Sequence, residues 1–334
     1  MDGVITQVKI ISIPQGTGYA LLWLWLVFTG GAAGWGVEPL LAINLLMAVA
    51  LLLLMAANAW RYRDNQRLKP IQPALVGLFM ALWVATAINQ SAGGVGWMII
   101  FVVFYIIYDL PAANLRAMRR GALWAGWVVW PAVLFLPWDN ANTMAMSVWG
   151  LLLLGMPADT RNEIKIAWGV LGGLALLGTG SEGGIFALAT AIVWLVGWWQ
   201  LWLALIVVAV VGVGLKFDSY GSLWVRRDMI AAALADFRWL GHGLDSYHFS
   251  AGSNWSTWHA HNLVAQIIWD AGALGLAALA WLLASLRRLS LDKWSWAWLI
   301  AFGVHSLVDS PLYVNFFSGV VAMLILGSDD GTPD

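Results

Sequence analysis

The sequence predicts an all-α integral membrane protein with about twelve transmembrane helices and one long outer loop at about 216–258. Three observations carry this expectation. Only 10% of the 334 residues are charged against 61% hydrophobic, and mean hydropathy is +0.77, outside the range of soluble globular domains. Apolar runs recur along the whole chain, many approaching the roughly 20 helical residues that cross a hydrocarbon core. Lys and Arg collect in alternate connections, as they do in short cytoplasmic loops.

The spans are expected at 18–36, 39–59, 71–89, 95–110, 121–137, 142–157, 166–180, 184–197, 200–215, 259–284, 294–310 and 312–327. Ahead of the first there is no basic n-region with a short apolar core and a small-residue cleavage site, so 18–36 is expected to stay as a span. Gly-rich Thr179–Gly184 and Gly197-Trp198-Trp199-Gln200 are thin breaks on either side of the eighth. With the N-terminus inside, the inner connections hold Lys9, then Arg61, Arg63, Arg67 and Lys69, then Arg116, Arg119 and Arg120, then Arg161 and Lys165, then Arg287, Arg288 and Lys293. The remaining cations, Lys216, Arg226, Arg227 and Arg238, all fall within 216–258, which is thereby expected on the outer face. An even number of spans puts both termini in the cytoplasm, and 1–334 reads as a single polytopic membrane domain. A net charge of -1 without a basic tail offers nucleic acid no footprint. The absence of Cys excludes disulfides, thiolate metal sites and cysteine nucleophiles. Most of the 25 Trp are expected in belts at the membrane interface.

Within the loop, Ser222–Leu240 reads as an amphipathic helix, with Ile230, Ala233, Phe237 and Leu240 recurring at helical spacing. At about 100° per residue Arg226 shares their face, whereas Arg227 aligns with Arg238. Arg226 therefore points toward the membrane domain, the alternative being a headgroup-binding arginine on an interfacial helix.

Four of the five histidines, His242, His248, His259 and His261, lie between 242 and 261. His261 is expected to open the tenth span, with Ser256 and Thr257 as caps. A helix N-terminus favours neutral imidazole and attracts phosphate oxygens, and both effects suit a general base working beside phosphate. Asn262, Gln266 and Asp270 follow at i, i+4 and i+8, a polar stripe that has to face the protein interior. His305 and Asp309, also four apart, end the eleventh span, where Asp309 is placed to orient or charge-stabilise a histidine. Histidines at helical positions i and i+2 diverge and no HExxH spacing occurs, so neither a metal nor another cofactor is expected. Outside the cytoplasm nucleotide donors are absent, so any transferred group has to arrive activated on a carrier that crosses the membrane.

Arg226-Arg227-Asp228-Met229-Ile230, Leu240-Gly241-His242-Gly243-Leu244, and His261-Asn262 followed after nine residues by Gly272-Ala273-Leu274-Gly275 give the last third a family likeness. There the chain resembles the O-antigen ligase and polymerase superfamily, which includes bacterial protein O-oligosaccharyltransferases. Asp270 and the segment His305–Pro311 are similar to recurrent features of the same family. The resemblance implies a glycosyltransferase of the bacterial inner membrane. It would move a glycan, without nucleotide or metal, from an undecaprenyl diphosphate carrier to a hydroxyl of lipid A core, polysaccharide or protein. It also implies His261 as the essential histidine and Arg226 as the residue holding the diphosphate. Where relatives often carry Ser-Arg-Gly in an outward turn, this chain has Ser181-Glu182-Gly183, so Arg227, Arg238 or Lys216 has to supply the second phosphate contact. Tyr247, His259, Asn262, His305, Asp309 and Glu182 complete the expected substrate-binding set. A transporter or flippase of lipid-linked glycans, and an inactive scaffold of a glycan assembly complex, remain the alternatives.

Overall fold

The computed structural model describes residues 15–30, 71–90, 94–109, 115–135, 140–197, 221–250, 256–257 and 259–328. Within them the chain is helical apart from one short ribbon. The helices are α1 (Gln15–Gly30), α2 (Gln72–Asn89), α3 (Gly94–Asp109), α4 (Leu115–Phe135), α5 (Ala141–Gly155), α6 (Asn162–Gly178), α7 (Glu182–Val196), α8 (Gly221–Ala235), α9 (Leu263–Leu286), α10 (Lys293–His305), α11 (Pro311–Val314) and α12 (Phe316–Gly327). Strands β1 (Phe249–Ser250) and β2 (Ser256–Thr257) pair antiparallel ahead of α9. By length and composition α2 and α9 can cross a membrane, and α5, α7 and most of α12 are shorter apolar helices. The expected spans 39–59 and 200–215, and the loop residues 216–220, 251–255 and 258, lie outside the described residues.

Polar side chains that a hydropathy window averages away set several of these boundaries. Asn140, Ser181, Asn262, Asp292 and Asn315 each accept a backbone N–H of the following first turn, the interaction that starts a helix by satisfying its orphan donors. Asn262, rather than Ser256 or Thr257, caps α9, so the helix begins after the two histidines instead of at 259. The expected span 294–310 ends as a helix at His305, and 312–327 is divided at Asn315. Helix α4 starts six residues before the expected 121, taking Arg116, Arg119 and Arg120 into its first turns. Arg119 donates to Asp292 at 2.6 Å, tying the start of α4 to the cap of α10.

The core of the described residues is built around five of the 25 tryptophans. Trp23, Trp130, Trp149, Trp168 and Trp298 are fully buried. Four of their indole N–H groups cross between helices: Trp23 to Met118 O, Trp168 to Leu123 O, Trp298 to Gly150 O, and Trp149 to His305 Nδ1. A buried indole keeps its bulk and finds an acceptor, and Gly126 and Gly155 make room, since a Cβ at either would meet the Trp168 ring at 2.5 Å. The surface is apolar as well. Ile166, Val170, Leu174 and Leu177 form an exposed stripe along α6, each at least half exposed.

Helix α9 is interrupted at Gly272, whose φ of 60° and ψ of -143° are not helical. The 238–243 turn fills the interruption. His242 N donates to Trp269 O at 2.8 Å and Gly243 N to Asp270 O at 3.0 Å, taking up carbonyls the broken helix releases. A Cβ at Gly272 would stand 2.0 Å from Arg238 O, and one at Gly241 would stand 2.4 Å from Asp270 O. Two backbones therefore touch at two glycines, which gives a physical reason for the Leu-Gly-His-Gly and Gly-x-x-Gly motifs. From the other side the end of α2 holds the same turn: Asn89 donates to Gly241 O, and Thr86 Oγ1 accepts from Leu244 N.

Candidate functional site

Three segments meet at one end of the bundle: 259–262 with Thr257 before α9, 306–310 after α10, and 179–184, which leads into the first turn of α7. Leu263 N donates to Ser306 O and Asn262 Nδ2 to Leu307 O, both at 2.9 Å, fastening the first connection to the second. A Cβ on Gly183 would lie 2.8 Å from Val308 and 3.7 Å from His305 Nε2, so the third closes on the second.

His261 has a φ of 48°, a left-handed conformation costing a non-glycine residue about 1–2 kcal/mol. A short relay stabilises it. Ala260 N donates to Gln266 Oε1 at 2.7 Å, and Gln266 Nε2 donates at 3.1 Å to both carboxylate oxygens of the fully buried Asp270. The polar stripe expected on this helix is thus interior, and it fixes the turn above it.

The turn brings His259 and His261 together instead of letting them diverge. Their ring centroids are 4.1 Å apart. His261 Nδ1 is 3.2 Å and His259 Nε2 3.7 Å from the same oxygen, Oδ1 of Asp309. That carboxylate is buried and also accepts from Ser310 N at 2.8 Å. Thr257 Oγ1 faces the far nitrogens, 3.5 Å from His259 Nδ1 and 3.4 Å from His261 Nε2. His259 and Asp309 lie in connections beyond the helix ends. Burial, aided by the charge of His261 and opposed by Asp309, lowers the His259 pKa to about 4, so this ring is neutral near pH 7. Burial alone would raise the Asp309 pKa. The hydrogen bond and charge of His261, with His259 and Ser310 N, prevail and lower it to about 2, so Asp309 is a carboxylate.

Of the remaining expected residues, His305 is fully buried, accepts from Trp149 Nε1 through Nδ1, and has no hydrogen-bond partner at Nε2 among the described residues. Arg226 lies on α8, three and seven residues before the buried Met229 and Ala233 that pack against α9. It is half-buried, forms no ion pair with a described carboxylate, and is within electrostatic reach of His305. The expected face of α8 holds only as far as Ala235, where the helix ends; Phe237 and Leu240 beyond it are exposed. Arg227 is exposed, paired with Asp228 at 2.7 Å and laid over Trp224, and Arg238 is exposed 3.8 Å from Asp236. Lys216 is outside the described residues. Tyr247 is buried with its hydroxyl donating to Met229 O, and burial raises its pKa to about 12; it joins the loop to α8. Asn262 serves as cap and tie. Glu182 is exposed in the first turn of α7, where a carboxylate favours the positive end of the helix. His242 stacks on Trp269 at 3.9 Å, and His248 is exposed.

Sequence reasoning missed Trp149, took Thr257 for a cap, and did not foresee the role of Gln266. Only Gln266 had a visible signal, its place four residues before Asp270. No protein-family model matches the chain, and no curated protein matches it.

Proposed function

We propose that the protein is a polytopic glycan transferase of the bacterial cytoplasmic membrane. It takes a glycan from an undecaprenyl diphosphate carrier and passes it to a hydroxyl acceptor on the outer face. The observation that carries this reading is half-buried His261 set 3.2 Å from the buried Asp309 carboxylate, with half-buried Arg226 within electrostatic reach of His305 four residues before that aspartate. A carboxylate at Nδ1 fixes the imidazole tautomer and leaves Nε2 as the base, the logic of any carboxylate–histidine dyad. His261 Nε2 accepts the acceptor hydroxyl proton, and that oxygen bonds to the anomeric carbon. The bond from this carbon to the diphosphate breaks, and Arg226 neutralises the anion that leaves. The exposed apolar stripe on α6 supports placement in lipid, and the alternation of cations supports twelve spans with both termini inside.

A transporter reading has one point in its favour, the broken helix α9 next to buried Asp270. The break, however, is filled by the 238–243 backbone, which takes up the released carbonyls. The test is purified protein supplied with a polyprenyl diphosphate oligosaccharide and candidate acceptors. Transfer with release of the carrier diphosphate is expected, and its loss in His261→Ala and in Arg226→Ala. Transfer at the wild-type level in both correctly inserted variants would refute the assignment.

A further inference from the structure

We propose that His259, His261 and Asp309 form a site for one divalent transition metal of the zinc class, and that its occupation switches the transferase off. Binding follows from the geometry; the inhibitory consequence rests on the function proposed above. One ligand atom from each of His259, His261 and Asp309 lies within 4.8 Å of the others. Tetrahedral zinc with bonds of roughly 2.0–2.2 Å sets its ligands about 3.3 Å apart. The two nitrogen-to-oxygen edges from His261 Nδ1 and His259 Nε2 to Asp309 Oδ1 are 3.2 and 3.7 Å, close to that spacing.

Two further features point to a cation. His259 Nε2 is buried and makes no hydrogen bond among the described residues although it faces a carboxylate. The outer contacts are also those of a ligating set: Thr257 Oγ1 faces the remote nitrogen of both rings, and Ser310 N holds Asp309 Oδ1. Ligating histidines are normally oriented through their other nitrogen in this manner. Two imidazoles and one carboxylate suit zinc-class ions, whereas magnesium and calcium favour oxygen ligands. The His259 and His261 side chains are 22% and 14% exposed, so the two rings reach the surface although the ligating nitrogens are buried. A neutral imidazole bound through Nδ1 carries its proton on Nε2. An occupied site therefore leaves His261 no lone pair with which to accept the acceptor proton.

The experiment is a titration of chelator-stripped, full-length protein in detergent with ZnCl2, read by competition with a chromophoric chelator. One equivalent should bind, unaffected by excess Mg2+. Affinity should fall at least about tenfold in His259→Gln and in Asp309→Asn but not in His248→Ala, which alters an exposed histidine outside the cluster. X-ray absorption of the wild-type complex should show only nitrogen and oxygen neighbours at about 2.0–2.1 Å with imidazole features; this result does not depend on the variants folding. No binding, a first shell without imidazole, or affinity unchanged in both variants overturns the site. Transfer activity is measured separately. It is read in the chelator-stripped protein and again after one equivalent of ZnCl2, which should abolish it. Protein that binds zinc but is inactive even when stripped would refute the functional reading and leave the site, active protein that binds no zinc would do the reverse, and full activity with zinc bound would overturn the switch.

Discussion

Gly272→Ala tests the docking of the 238–243 turn into the break of α9, and its cost can be worked from the structure. At φ 60° and ψ -143° an L-residue is strained by about 1–3 kcal/mol. The new Cβ would also lie 2.0 Å from Arg238 O and 2.6 Å from Gly241 N, and neither backbone atom can rotate away. Relief requires the turn to back off, giving up the His242 N to Trp269 O and Gly243 N to Asp270 O hydrogen bonds, each worth about 1 kcal/mol net. The total is about 3–5 kcal/mol of local stability. Hydrogen exchange followed by mass spectrometry in detergent measures it directly, because the His242 and Gly243 amides become exchangeable when the turn lifts. Every 1.4 kcal/mol is a factor of ten, so these amides should exchange roughly 100- to 3,000-fold faster. Gly180→Ala is the control: its φ is 67°, but no heavy atom lies within 4 Å of the added Cβ. Equal exchange in the two variants would mean that the backbone contact at Gly272 does not hold the turn.

Asp309→Asn should lower transfer by about 10²–10⁴-fold, because an amide can present N–H to His261 Nδ1 and shift the ring proton to Nε2. A loss below fivefold, with the fold intact by tryptophan fluorescence, would remove Asp309 from the mechanism. Gln266→Leu takes away the acceptor for Ala260 N and should destabilise the 259–261 turn by about 1–3 kcal/mol. It should reduce kcat with little change in KM for the carrier; a pure KM effect would speak against a positioning role. Asp292 combines the cap of α10 with the Arg119 ion pair, which outweighs burial and lowers its pKa below the ordinary 3.8. A depressed carboxylate stabilises above its unfolded pKa and loses that contribution as pH falls. The Tm of the wild type should therefore drop toward that of Asp292→Asn as pH falls below about 4. Asn still caps, so curves that stay parallel down to pH 3 would show that the ion pair contributes nothing.

Much of the helical order was legible because apolar length is a strong signal. The expected 71–89, 95–110, 142–157 and 184–197 match α2, α3, α5 and α7 to within two residues at each end. What failed was local. A hydropathy window cannot see that Asn315 caps a new helix inside 312–327, or that Arg116, Arg119 and Arg120 extend α4 backward, because a single hydrogen bond or ion pair decides each case. The five buried tryptophans were not legible for a related reason. Composition favours an amphipathic ring at an interface, yet four of the buried indoles donate across helix boundaries, and acceptors such as Met118 O and Gly150 O carry no sequence signature.

At the site the residue types were legible and their convergence was only partly so. His261 and Asp309 could be paired in advance, since both were expected at the same end of neighbouring spans. His259 was assigned away from His261 because helical positions i and i+2 diverge, but the helix starts four residues later than the expected 259. Asn262 takes the cap, α9 starts at Leu263, and both histidines fall in a turn. The left-handed φ of His261 turns its ring onto Asp309, and a β-branched or bulky residue rarely tolerates that conformation. The Gln266–Asp270 relay below and the Ser306 and Leu307 carbonyls beside it compensate for the strain. The same strained turn that presents one nitrogen of His261 to a carboxylate also brings His259 alongside. The proposed base–carboxylate pair and the proposed three-ligand cation site therefore both follow from where a single asparagine starts a helix.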